Sequence, residues 1–319
     1  MLNAFTLNNN RLSQIHLEEY DDLSSDSPIW IDVVAATAEE RLWVESTYKL
    51  VLPKPEHLRD IEASAHFFEE GGELHLRSDF LLGTQSDSRS VTVAFVLTGD
   101  ILISVHEEDL PVFHSLRTRT HLQAGEIETS KDVLIDLYTK DVEFSADALE
   151  KVYADLGQVS QSVLQTKLSD NEAANVLASI AQAEHVNGRI RRNVMDTRRA
   201  ISFLMRSKLL NAEQHEDARQ IMQDIDSLDG HTSFLFDKIN FLMSATVGFI
   251  NINQNKIVRL FSVASVTLLP PMLIASIYGI NFRHMPELDW VAGYGFALLL
   301  MLLSVLLPFW QFQRKGWLK

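Results

Sequence analysis

A short polar segment, Tyr278-Gly279-Ile280-Asn281-Phe282, interrupts an otherwise apolar C-terminal region. The Gly279 carbonyl and the Asn281 amide offer neutral oxygens, which can hydrogen-bond the water shell of a cation without trapping the ion. The alternative is structural, since glycine and asparagine also commonly end helices. Taken alone, the segment favours this second interpretation.

Two uncharged runs, residues 260–282 and 290–313, surround the polar segment. About 20 apolar residues of helix cross a bilayer, so each run is long enough, and together they predict a transmembrane helical hairpin. The loop between them holds one basic residue, Arg283, whereas more basic residues lie outside the runs: Lys256, Arg259, Arg314, Lys315 and Lys319. The positive-inside rule therefore predicts that both termini are cytoplasmic.

Composition excludes several classes of protein. The net charge of −15 at pH 7 argues against nucleic-acid binding, which needs clustered basic residues. The acidic excess indicates either solubility or a field that attracts cations near the membrane. The chain has no cysteine, so disulfides and thiolate metal sites are excluded.

Sequence motifs for other functions are missing as well. No phosphate-binding loop is present, so no nucleotide is expected, and no His-x-x-x-His pair supports a zinc site. The acidic residues show no arrangement typical of acid–base catalysis, so we do not expect an enzyme. The N-terminus has no basic segment followed by an apolar run, so no cleaved signal peptide is expected.

The pattern of residues 1–125 predicts an α+β domain with a mixed sheet and packed helices. Residues 28–34 are rich in β-formers, and a helix is predicted from Ala38 to Val51 with a capping box formed by Thr37 and Glu40. Strand-like runs around Gly71-Gly72 and around Gly99 predict two hairpins.

From about Lys131 the apolar spacing becomes helical, and a polar patch at Ser169-Asp170-Asn171 predicts an interruption of the helix. A single helix from Glu213 to Ile280 would be about 100 Å long and would connect a cytoplasmic stalk to the first span. The predicted organisation begins with a cytoplasmic α/β domain (residues 1–125) and a helical region that includes the start of the stalk (126–255). A first transmembrane helix (256–282), an outer loop (283–290), a second transmembrane helix (291–313) and a basic tail (314–319) follow.

Motifs around the polar segment carry a family resemblance. Tyr278-Gly279-Ile280-Asn281-Phe282 is followed by Met285-Pro286-Glu287-Leu288, and Gln254-Asn255-Lys256 and Pro270-Pro271 precede it; Trp30-Ile31-Asp32 lies near the N-terminus. With these motifs the sequence resembles the CorA family of divalent-cation channels over nearly its whole length. The resemblance implies a funnel-shaped homopentamer in the bacterial inner membrane that transports Mg²⁺.

By this resemblance, Gly279, Ile280 and Asn281 form a selectivity filter, with five Asn281 amides at the outer mouth and the Gly279 carbonyls behind them. The family tripeptide is Gly-Met-Asn, so Ile280 is a departure at a position that mainly packs. The departure leaves open another divalent cation, such as zinc, cobalt or nickel, whereas the Met-Pro-Glu-Leu motif favours magnesium.

The resemblance also implies which residues face the pore: Asn255, Phe261, Leu269, Met272 and Ser276. Rings of the three apolar side chains would form a constriction that stops ions by dewetting. Ordinary packing between helices is the alternative for these three residues.

In the family, cytoplasmic Mg²⁺ bridges carboxylates of neighbouring subunits and holds the channel closed. Mg²⁺ is therefore expected as transported ion and as regulatory ligand. The candidate carboxylates lie at the start of the stalk and in a loop of the first domain: Glu213, Glu216, Asp217, Asp224, Asp226, Glu107, Glu108 and Asp109. The family's sensing positions are not matched residue by residue, and an ordinary solvated surface is the alternative for each. A protein of another class, a membrane-anchored scaffold, would need none of the ion-binding residues.

Overall fold

The computed structural model divides into two compact units, which are described separately. The first comprises Met1–Gln165 and Ala174–Met243, and the second comprises Thr166–Ala173 and Ser244–Lys319. The structure describes these residues: 1–8, 11–15, 27–53, 67–83, 88–119, 127–164, 169–280 and 290–316.

A seven-stranded sheet forms the centre of the first unit. Its strands are β1 (Leu2–Asn8), β2 (Arg11–Ile15), β3 (Trp30–Val34), β4 (Phe67–Glu70), β5 (Glu73–Leu82), β6 (Arg89–Thr98) and β7 (Ile101–His106). They lie in the order β2-β1-β3-β7-β6-β5-β4. Only β3 and β7 pair in parallel, and the other pairs are antiparallel. The predicted mixed sheet is confirmed.

Glycines form the two predicted hairpins. Glu70 pairs with Glu73 across a two-residue turn in which Gly71 has φ 63° and Gly72 has φ 89°. Positive φ at both central residues is what a type I′ turn requires, and glycine adopts it without steric cost. Gly99, with φ 55°, begins the turn between β6 and β7.

Two strands and one helix were not predicted from the sequence. Strands β1 and β2 form an N-terminal hairpin, and helix α2 spans Pro111–Arg119 after the parallel strand β7. The sequence contains a signal for each of these elements except β2. Residues 2–7 contain alternating β-forming residues, and Pro111 is a residue type that is favoured in the first turn of a helix. Strands β5 and β6 are also longer than the apolar runs that predicted them.

Helix α1 spans Ala38–Tyr48 and begins with the predicted capping box. The Thr37 hydroxyl accepts from the Glu40 backbone N–H at 3.2 Å, and the Glu40 carboxylate accepts from the Thr37 N–H at 2.8 Å. The helix ends three residues before the predicted Val51. Lys49 adopts a left-handed conformation with φ 54°, which turns the chain so that Leu52 becomes buried.

We expect Thr37→Ala to lower the free energy of unfolding by about 1 kcal/mol, since it leaves helical N–H groups without their side-chain acceptor. Urea denaturation of the purified protein measures this loss. Thr37→Ser keeps the hydroxyl and is the matched control. Equal stability of the alanine and serine variants would contradict the prediction.

Three long helices follow in the chain: α3 (Ser130–Leu164), α4 (Asp170–Arg206) and α5 (Ala212–Tyr278). Helix α5 begins in the first unit and ends in the second. The predicted interruption at Ser169 is confirmed, since α3 and α4 are separate helices. Asn211 caps α5, because its Oδ1 accepts from the Gln214 N–H at 2.8 Å while Gln214 Oε1 accepts from the Asn211 N–H at 3.0 Å. The Gln214 side chain also donates to Asp132 of α3 at 2.6 Å.

The sheet has a different core on each face. On one face, aliphatic residues such as Val33, Val96 and Ile103 form a cluster with Val44 of α1. On the other face, aromatic rings lie within 4.6–6.3 Å of one another, centroid to centroid: Phe5, Trp30, Phe80, Phe95, Phe113 and Tyr138. Since Phe113 belongs to α2 and Tyr138 to α3, this second core fixes both helices against the sheet.

Candidate pore site

Helix α5 ends immediately before the polar segment. The Gly279 N–H donates to the Ala275 carbonyl at 3.0 Å, and the Ile280 N–H donates to the Ile277 carbonyl at 3.3 Å. Gly279 does not have a positive φ. A Cβ at this position would lie 3.1 Å from the Ala275 oxygen, so a larger residue would require this last turn to shift by a few tenths of an ångström.

The other motif residues of the predicted filter lie outside the residues that the structure describes: Asn281, Phe282, Met285, Pro286, Glu287 and Leu288. Tyr278, Gly279 and Ile280 are described. The filter therefore stays a prediction.

The five predicted pore-facing residues all belong to α5 and are all exposed in the single chain: Asn255, Phe261, Leu269, Met272 and Ser276. Phe261 is 71% exposed and Met272 is 70% exposed, whereas Val263 in the same span is 6% exposed. At about 100° per residue, Phe261, Met272 and Ser276 lie about 140 to 180° around the helix from Val263. These three residues therefore occupy the side opposite Val263, whereas Leu269 lies about 120° and Asn255 about 80° from Val263, so the five predicted residues spread over about 120° of the helix surface.

Two consecutive prolines, Pro270 and Pro271, lie inside α5 without ending it. Proline has no N–H, so the carbonyls of Val266 and Thr267, four residues earlier, lack their helical donors. The Thr267 hydroxyl is also buried and has no hydrogen-bond partner among the described residues. This turn of the span therefore contains several polar atoms that the helix itself does not satisfy.

The second span is α6 (Gly293–Arg314). Within the described ranges, α5 and α6 are the two helices long and apolar enough to cross a membrane. The Arg314 guanidinium lies 4.8 Å from the centre of the Trp310 ring, a cation–π contact. Tryptophan and arginine at the end of an apolar helix are typical of a membrane–water interface.

The loop acids after β7 differ in their surroundings. Glu108 pairs with Arg89, and Asp109 pairs with Arg117. Glu107 is exposed. Because Glu108 and Asp109 already have arginine partners in the same chain, a cation would have to compete with those pairs.

The acids at the start of α5 all lie on its exposed surface: Glu213, Glu216, Asp217, Asp224 and Asp226. Asp226 pairs with Arg198 and Glu216 with Arg219, while Asp224 accepts from Gln220 at 3.2 Å. Across the described ranges, no three acidic or histidine side chains are close enough to hold a metal ion. A regulatory site built from these acids would need ligands from a second chain.

One cluster of buried polar side chains was not predicted. It lies entirely inside the first unit, Met1–Gln165 and Ala174–Met243, which is the soluble unit. The Asp32 carboxylate accepts from His106 Nε2 at 2.8 Å, from the Ser104 hydroxyl at 2.7 Å and from Arg117 at 2.6 Å. Ser104 in turn accepts from the Trp30 indole N–H at 3.0 Å. The only sequence signal was a charged residue in the middle of the apolar strand β3.

The described geometry defines a class of protein: an α+β unit whose last long helix, α5, continues into the first of two candidate C-terminal membrane spans. The family profile described as "CorA-like Mg2+ transporter protein" matches residues 25–314. The chain belongs to this family, whose members are transport proteins.

Similar proteins cover the whole chain. "Magnesium transport protein CorA" of Escherichia coli K12 is 42% identical over 319 residues, which is 100% of both chains, and the protein of the same name from Yersinia pseudotuberculosis has the same identity and coverage. Among solved structures, the complete CorA magnesium transporter of Methanocaldococcus jannaschii matches with a TM-score of 0.80 at 14% identity, covering 99% of this chain and 98% of that one. At that identity the structural match establishes the fold alone.

Proposed function

We propose that this protein is a channel that carries Mg²⁺ passively into the cell. The observation that carries the proposal is the 42% identity, without loss of coverage at either end, to proteins named for magnesium transport. A divalent ion that enters down a membrane potential gains about 4.6 kcal/mol per 100 mV, twice the value for a single charge. That gain drives uptake without nucleotide hydrolysis.

Selection would occur at Gly279, Ile280 and Asn281. Neutral carbonyl and amide oxygens orient the water shell of Mg²⁺, which the ion gives up reluctantly. In support, the Gly279 N–H donates to the Ala275 carbonyl at 3.0 Å, so the last turn of the first span reaches the residue whose carbonyl would face the ion. Non-helical backbone at membrane depth is tolerated where it lines a water path.

The exposed side of α5 would line the pore in an oligomer, for which we propose a homopentamer. Phe261, Leu269 and Met272 would form the apolar constriction, with Ser276 towards the filter and Asn255 towards the cytoplasmic end. In support, the three apolar side chains are 61–71% exposed in one chain and need cover from lipid or from other subunits. Ser276 on the same side favours a water-filled path over lipid.

We further propose that the channel lies in the bacterial inner membrane with both termini in the cytoplasm. The basic residues outside the two spans support this orientation. Cytoplasmic Mg²⁺ would then close the channel by bridging acids of adjacent subunits. Glu213, Asp217 and Glu107 are the better candidates, since no arginine partner is described for them, unlike Asp226 or Asp109.

The decisive experiment is Mg²⁺ flux into proteoliposomes that contain the purified protein. We expect flux that rises with an inside-negative potential and falls about tenfold in Asn281→Ala, since each 1.4 kcal/mol of lost ion stabilisation is a factor of ten. Absence of Mg²⁺ flux in the wild type would overturn the proposal. Flux that is unchanged in Asn281→Ala would remove the proposed filter.

Ile280 favours a second candidate, transport of zinc, cobalt or nickel, because it replaces the methionine of the family motif. The same liposomes distinguish the two ions if zinc is added in competition and as sole cation. Mg²⁺ flux that modest zinc leaves unchanged would identify Ile280 as a packing change. Zinc flux without Mg²⁺ flux would favour the second candidate, and Ile280→Met would then be the first variant to measure.

A further inference from the structure

A buried carboxyl group lies between α3 and α4, far along the chain from the proposed pore residues. Asp141 of α3 is 0% exposed, and its neighbours Ser145, Asn193 and Thr197 are 0 to 1% exposed. Asn193 Nδ2 lies 2.9 and 3.0 Å from the two carboxylate oxygens, and the Thr197 hydroxyl donates to Asp141 Oδ2 at 2.8 Å. All the described hydrogen-bond donors to this carboxylate are neutral.

The charges acting on the group come from two elements and are both acidic. Asp196 on α4 and Asp79 on β5 both disfavour an ionised Asp141 electrostatically. Tyr138 on α3 is a neutral phenol whose hydroxyl bonds to the Ser78 hydroxyl at 2.8 Å. An ionised carboxylate at this position is therefore buried without a described cation to neutralise it, which is the costly arrangement for a charge in a protein interior.

The hydrogen bonds of the cluster are also incomplete when Asp141 is ionised. Asn193 Nδ2 serves both carboxylate oxygens and lies 3.2 Å from the Ser145 hydroxyl, whereas the buried Asn193 Oδ1 has no partner among the described residues. A proton on Asp141 would turn one carboxylate oxygen into a donor. Rotation of the Asn193 amide by 180° would bring its oxygen to that donor, and the two orientations have nearly the same shape.

We propose that Asp141 is a proton-binding site, and that its protonation reorients the Asn193 amide and tightens the contact between α3 and α4. Burial raises the pKa of Asp141 from 3.8 to about 7, although the hydrogen bonds from Asn193 and Thr197 act in the opposite direction. The group therefore changes charge near neutral pH. Because Asp141 lies in the soluble unit, its protonation does not depend on which ion the protein carries.

The sign of the pH dependence follows from linkage. The folded chain binds the Asp141 proton more tightly than the unfolded chain, so the stabilisation from this group is complete below pH 3.8 and is lost as the pH rises through about 7. Above that pH the carboxylate is ionised in both states, and its contribution no longer changes.

The experiment compares the detergent-solubilised full-length protein with Asp141→Asn, which is neutral at every pH, and with Asp147→Asn, an exposed acid on the same helix, as the matched control. We expect the thermal midpoint of the wild type and of Asp147→Asn to fall by several degrees more than that of Asp141→Asn between pH 5.5 and pH 8. Equal pH dependence in all three proteins would overturn the proposal.

Infrared difference spectra give a direct readout that does not rely on stability. Between pH 8 and pH 6 we expect a carboxylic acid C=O band that is present in the wild type and absent in Asp141→Asn. Thr197→Val removes a hydrogen bond to the ionised form, so the midpoint of that band should shift to higher pH. A spectrum without the band at pH 6, or an unshifted midpoint in Thr197→Val, would refute the assignment.

Discussion

Gly279→Val is expected to lower Mg²⁺ flux about ten- to hundredfold in the liposome assay. A Cβ at this position would lie 3.1 Å from the Ala275 oxygen, which is the acceptor of the Gly279 N–H. Overpacking of this kind costs about 1 to 3 kcal/mol. If movement of the last turn relieves that cost, the proposed filter carbonyl moves with it, and each 1.4 kcal/mol that this movement adds to the barrier for conduction lowers the flux about tenfold.

Two variants make this result interpretable. Gly279→Ala adds only the Cβ and should show a smaller loss in the same direction. Gly295→Ala is the matched control, because a Cβ on this α6 glycine has no described atom within 4 Å, and its flux should equal that of the wild type. Wild-type flux in Gly279→Val would show that the position of this carbonyl does not control conduction.

Asp32→Asn is expected to destabilise the soluble unit by about 3 to 5 kcal/mol, the usual result of removing one partner from a buried ion pair. The Asp32 side chain is 0% exposed and pairs with Arg117, whose side chain is 16% exposed. Asparagine keeps the shape of the side chain but removes the negative charge between Arg117 and His106. Urea denaturation of the purified protein measures the loss.

Asp100→Asn is the control for this prediction, since Asp100 is an exposed residue in the turn between β6 and β7. Surface substitutions of this kind change the free energy of unfolding by about 0.5 kcal/mol or less. A loss below about 1 kcal/mol in Asp32→Asn would mean that the cluster tolerates a neutral residue and that the buried charge contributes little.

Local patterns predicted the parts of the fold that depend on neighbouring residues. The Thr37 capping box, the glycine turn at Gly71 and the helix boundary at Ser169 each need only a few consecutive residues, and all three are confirmed. The two spans could be predicted from the lengths of the two uncharged runs, because about 20 apolar residues of helix are needed to cross a bilayer. Helix α1 ended early because Lys49 takes a left-handed conformation that its residue type does not demand.

Contacts between distant residues could not be predicted in the same way. Asp32 lies 85 positions from Arg117, and only the parallel pairing of β3 with β7 places Ser104 and His106 beside it. The arginine partners of the loop acids Glu108 and Asp109 could not be predicted, because they lie 19 and 8 positions away in the sequence. The burial of Asp141 could not be predicted either, since a single acid in a helical pattern gives no sign that its position is buried.

The two consecutive prolines of α5 have a consequence for the hydration of the first span. The carbonyls of Val266 and Thr267 lack helical donors, and an unsatisfied backbone group in hydrocarbon costs several kcal/mol. Because the span contains these carbonyls about three and a half turns before Gly279, we expect water or a hydroxyl donor to reach them. A span that is apolar in composition would then be wet on one side at the level of its prolines.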